Sequence, residues 1–131
     1  MKSWILAALA ALIVSALVTL TVFEYLAVRD RQSISEITSD IRASVPQGSS
    51  TDDITRYLEA RDIPYVSDSV SQQSNDTYRT LGIKAGTNVI AAEEYQEGTL
   101  LWLSPRDLQI VFVLDAALTL ERIDIVAYNV E

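Results

Sequence analysis

Residues 4–23 read WILAALAALIVSALVTLTVF, twenty positions without a charge, proline or glycine. At about 1.5 Å of rise per residue, a helix of this length spans roughly the 30 Å hydrocarbon layer of a bilayer. Eleven of its residues are large and apolar. On an insertion scale they favour the membrane by about 3–7 kcal/mol in sum, an upper bound that Ser15, Thr19 and Thr21 reduce. Those hydroxyls can bond the carbonyl one turn back, which makes them tolerable in lipid. The apolar residues fall on every face, so the segment does not read as an amphipathic helix lying in the interface. Trp4 and Tyr25 bracket the run, where aromatic belts sit.

A cleaved signal peptide is the competing reading. It calls for a shorter apolar core, about 7–15 residues, closed by a small-x-small site. The only such pattern near the right place is Tyr25-Leu26-Ala27, with a bulky outer residue. An uncleaved signal anchor is therefore expected: a tail at 1–3, a membrane span at 4–25 and a juxtamembrane helix at 26–45. The expected location is the bacterial inner membrane, crossed once. Lys2 faces Arg29 and Arg31 across the span, and that count leans slightly toward a cytoplasmic domain. A three-residue tail, however, normally lets the span insert like a signal sequence and carry the downstream chain across the membrane, so the domain is expected on the periplasmic side.

The remaining segment is one domain's worth of chain. From Gln32 onward it has seven basic residues against sixteen acidic ones, a balance of −9. Nucleic acid and anionic lipid headgroups are poor partners for such a surface. The absence of His and Cys excludes Ser-His-Asp and Cys-His catalysis and zinc sites built on imidazole or thiolate.

Outward from the anchor, Ile34, Ile37, Ile41 and Val45 form one helical stripe. The sequence leaves open whether that helix continues from the membrane or is hinged near residues 29–32. Pro46-Gln47-Gly48 ends it. Ser49-Ser50-Thr51 then caps a second helix over 51–62, with Asp52 and Asp53 at the positive end of its dipole and Ile54, Tyr57 and Leu58 on its buried side. Residues 67–86 read as a polar loop. Strands are expected at 88–95, 99–103, 108–115 and 118–128. Leu108, Ile110, Phe112 and Leu114 alternate on one face. In the last strand the parity slips between Leu120 and Ile123, which calls for a bulge near Glu121-Arg122 or burial on both faces. The resulting class is α+β: a transmembrane helix, then two helices on one face of a three- or four-stranded antiparallel sheet.

Three groups of residues invite a functional reading. Asp68, Asn75 and Asp76 lack the spacing, glycine and closing glutamate of a calcium loop. Glu93, Glu94 and Glu97 are the densest carboxylates, but neighbours on a strand point to opposite faces, and charge guarding a strand edge is the simpler role. Trp102, flanked by Leu101 and Leu103, reads as core or as an anchor for a partner protein. No catalytic, cofactor-binding or metal-binding residue is assigned, and no cofactor, nucleic acid or small molecule is expected.

The pattern Ile-x-x-x-Val-Pro-x-Gly-Ser-Ser-x-x-Asp-Ile-x-x-x-Leu over residues 41–58 resembles the helix-turn-helix junction of the SmpA/OmlA (BamE-like) family. The closing hairpin, Gln109-Ile-Val-Phe-Val-Leu-Asp115 and Leu118, is similar to that family's last two strands. The resemblance covers about a third of the chain and implies two helices ahead of a three-stranded antiparallel sheet in a small envelope domain. This chain departs from the family in having no Cys to lipidate. The expected function is non-enzymatic: an acidic interaction module held at the membrane, with another envelope protein as partner. The alternatives are a small-ligand or lipid-binding domain, or a carboxylate-based metal-binding enzyme using Glu93, Glu97, Asp68 or Asp76.

Overall fold

The structure, a computed structural model, describes residues 2–72, 76–101 and 103–129. The chain divides into two compact units. The first contains α1 (Lys2–Asp30), Arg31 and the Gly98–Ser104 loop. The second holds α2 (Ile34–Ser44), α3 (Thr51–Ala60), β1 (Tyr65–Ser69), α4 (Asp76–Thr80), β2 (Asn88–Gln96), β3 (Arg106–Leu114) and β4 (Leu120–Asn129).

α1 is long and apolar enough to cross a bilayer. Lys2 to Thr19 are exposed on every face. Thr19 and Thr21 donate to the carbonyls of Ser15 and Leu17, each at 2.8 Å, so their hydroxyls are satisfied inside the helix. The helix stops at Asp30 and α2 begins at Ile34, so of the two arrangements the sequence leaves open, the chain breaks near residues 29–32 and the 26–45 segment is divided between two helices. Ser33 takes an extended conformation (φ −71°, ψ 162°) and caps α2 by accepting from the Glu36 amide. A serine with that cap partner within reach is enough to restart a helix.

In the second unit the sheet is antiparallel in the order β1-β2-β3-β4. One face packs on α2 and α3: Ile37, Ile41, Val45, Ile54 and Leu58 meet Ile90, Leu108, Ile110, Phe112, Leu114, Leu120 and Ile123. Burying a side chain such as Phe112 contributes about 1.5–3 kcal/mol, so this layer dominates the domain's stability. The other face is covered as well, because Tyr78 of α4, Val70 and Ile83 pack on Val89, Val111 and Val113. The expectation of helices on one face only is thus corrected. The signal was the unbroken Ile-Val-Phe-Val-Leu run of β3, whose residues are all buried, as on a strand covered on both sides.

Two further expectations fail. The polar loop at 67–86 contains the end of β1 and all of α4. The apolar segment expected as a strand at 99–103 has no strand among its described residues, and strand pairing between β2 and β3 ends at Gln96 and Arg106. The slip in β4 is a bulge: Val113 pairs with Arg122 and Leu114 with Leu120, leaving Glu121 as the extra residue. That shift lets Leu120 and Ile123, three apart, enter the same core cluster.

Candidate functional site

The Gly98–Ser104 loop closes on itself. Thr99 donates its amide to the Leu103 carbonyl at 2.8 Å, and the Leu103 amide donates to the Thr99 hydroxyl at 2.9 Å. It is fastened to α1 at two points. The Leu101 amide donates to Glu24 Oε1 at 3.2 Å, and Arg31 Nη1 donates to the Ser104 carbonyl at 3.0 Å. Glu24 and Arg31 lie seven residues apart, two turns along one face of the helix. Leu20, Glu24, Ala27 and Arg31 are the covered positions of that face, and Glu24 is only 3% exposed. Of the expected partner-binding residues, Leu101 is exposed and Leu103 half-buried, while Trp102 lies outside the described residues. Leu100, to which the sequence pattern gives no role, is the most exposed large apolar side chain among the described residues, at 79%. Trp4 and Tyr25 are both exposed.

The second unit carries an open groove of 540 Å³ between α2, α3 and the sheet. Ile37, Ile41, Ile63 and Ile110 line it alongside Asp40, Glu94, Gln96, Tyr57 and Arg61. At one end Arg106 binds the Gln96 side chain at 2.6 Å and the Gln32 carbonyl at 3.0 Å. Gln32 in turn donates to Asp40 at 2.7 Å. The Arg61 guanidinium sits 3.8 Å from the centroid of the Tyr57 ring. Burial raises the Tyr57 phenol above its ordinary value, and the charges of Glu94 and Asp40 add to the rise while Arg61 opposes it. Tyr57 therefore stays a neutral donor at neutral pH. The groove offers carboxylates and an aromatic ring over an apolar floor, a combination that accepts a basic side chain on an amphipathic segment.

The remaining carboxylates have separate surroundings. Asp53 completes a capping box with Ser50 at the start of α3, and Asp52 lies in the same first turn. Asp76 pairs with Arg79 at 3.6 Å on the surface. Asp68 bonds the Tyr78 hydroxyl and, with burial as the larger cause, raises that phenol. Glu93 and Glu97 are exposed. β1 pairs only as far as Ala92, and the Glu93 amide bonds the Pro64 carbonyl, so beyond that point β2 has no partner strand on this flank among the described residues. Asn75 lies outside them, and among them no three acidic residues gather to hold a metal ion. No known protein family, characterised protein or solved structure matches the chain.

Proposed function

We propose that this is a non-enzymatic, single-pass membrane protein whose acidic α+β domain is an interaction module for another envelope protein. The observation that carries the reading is α1: an apolar helix exposed all round from Lys2 to Thr19 is stable in lipid and not in water. The domain's −9 balance favours a basic partner. The groove between α2, α3 and the sheet is the surface with the chemistry to receive one. Asp40 and Glu94 would pair a lysine or arginine, and Ile37 and Ile63 would take apolar neighbours of that residue. The resemblance to the BamE-like domains points the same way, toward a small envelope module that works by contact.

The test is site-specific photo-crosslinking in native membranes from Ala43 and Gln96 in the groove, with Arg56 on the exposed side of α3 as reference. The expected result is one defined protein adduct from the groove positions, absent at Arg56 and abolished by Asp40→Lys with Glu94→Lys. Equal labelling at all three positions, or a chain released from membranes by alkaline carbonate, would sink the reading.

A further inference from the structure

We propose that the Gly98–Ser104 loop is a second membrane-contact element, with Leu100 and Leu101 seated in the lipid interface beside α1. The inference rests on α1 being the anchor and adds a surface that the anchor alone does not need.

Depth is the first ground. If residues 4–23 fill the hydrocarbon layer, Glu24 stands at its edge, and Arg31 lies roughly 10 Å further out. The loop is tied at both levels, with the Ser104 carbonyl on Arg31 and the Leu101 amide on Glu24. It therefore runs down the helix toward the apolar run, and Leu100 and Leu101 belong to its end nearest the bilayer. Phe23 at 68%, Leu100 at 79% and Leu101 at 56% exposure are all left uncovered.

Composition is the second ground. Gly-Thr-Leu-Leu-Trp-Leu-Ser carries no charge, in a chain whose part beyond Arg31 has sixteen acidic residues. Anionic headgroups repel that acidic surface but not this loop.

The third ground is the backbone. A loop entering a layer poor in water must satisfy its own polar groups. The amides of Thr99, Leu101 and Leu103 donate to the Leu103 carbonyl, Glu24 and the Thr99 hydroxyl, and the Ser104 carbonyl accepts from Arg31. A loop waiting for a protein partner has no such requirement, since its partner or water would supply the bonds. The loop also covers Glu24, keeping the one carboxylate on that face of the helix away from acyl chains.

The chain has no cysteine, so single nitroxide labels can be placed at will. Leu100→Cys and Leu101→Cys would be labelled in the full chain, reconstituted in phosphatidylethanolamine–phosphatidylglycerol vesicles. Collision with oxygen and with a nickel chelate then reports depth. Leu12→Cys marks the mid-span and Arg56→Cys the water. The expected result places both loop labels about 5 Å or more inside the headgroup boundary. Adding Leu100→Asp should shift the label at position 101 toward water. Loop labels that behave like Arg56→Cys while Leu12→Cys is embedded overturn the loop inference and leave the anchor standing. A water-exposed Leu12→Cys removes the anchor and the inference together. Loop labels that are wet in vesicles but shielded from both reagents in native membranes identify a protein cover and overturn the lipid assignment.

Discussion

Asp115 accepts from the Thr119 hydroxyl at 2.6 Å, the Thr119 amide at 3.0 Å and the Ala117 amide at 3.0 Å, which closes the turn between β3 and β4. Those bonds, Thr119's side chain first, lower its pKa below the usual carboxylate value. Because the folded value is the depressed one, the stabilisation is complete above the unfolded pKa near 4 and disappears as pH falls through the folded value. Asp115→Asn keeps the shape without the charge. Thermal melts should show wild type more stable than Asp115→Asn at neutral pH, with the gap closing as pH falls below the unfolded value near 4. A gap of constant size across that range would show that the charge is not what the turn uses. An Asp at a turn is an ordinary sight in a sequence, and only the geometry shows three donors converging on one carboxylate.

At the scale of elements, the regular and amphipathic pieces were readable from spacing. The stripe of α2 buries Ile37, Ile41 and Val45, α3 buries Ile54 and Leu58, and β3 alternates into the helical layer. β1 and α4 were not readable. β1 leaves four of its five residues exposed, and α4 is a five-residue helix, too short for a period to declare itself. The 99–103 loop misled for the opposite reason: its apolar residues imitate a buried strand, yet Leu100 and Leu101 face outward. The groove combines residues of four elements, so no local pattern could announce it. Helix ends give a further contrast. α3 ends with the Asp62 amide on Glu59 and the Ile63 amide on Leu58, and α4 ends with the Gly82 amide on Arg79 and the Ile83 amide on Tyr78. Both are Schellman closures, and each needs a left-handed residue. Gly82 takes φ 70° freely, whereas Asp62 holds φ 54° with a side chain. Asp62→Gly should raise stability by about 0.5–1 kcal/mol, read from the denaturation midpoint. An unchanged or lowered midpoint would mean that Asp62 is held by more than its backbone.

On the scale of the whole molecule, the two units differ in what they bury. Every buried residue of the two core clusters comes from α2 onward, and none from α1. A chain begun at Gln32 keeps that core, both caps and the bond from Arg106 to the Gln32 carbonyl. It loses the Glu24 and Arg31 bonds to the 98–104 loop. A hydrogen bond to a charged group contributes about 1.5–3 kcal/mol, equivalent to roughly 6–24 °C in a domain of this size. The true shift should fall near the lower end, because the bonds order the loop and not the sheet. The shortened chain should therefore remain soluble without detergent and melt in one cooperative step. Limited proteolysis should cut it first between Gly98 and Ser104, a site that the full chain in vesicles should protect. A shortened chain with no cooperative transition would show that the domain depends on its anchor for folding, and the picture of a self-sufficient module held at a lipid surface would fall with it.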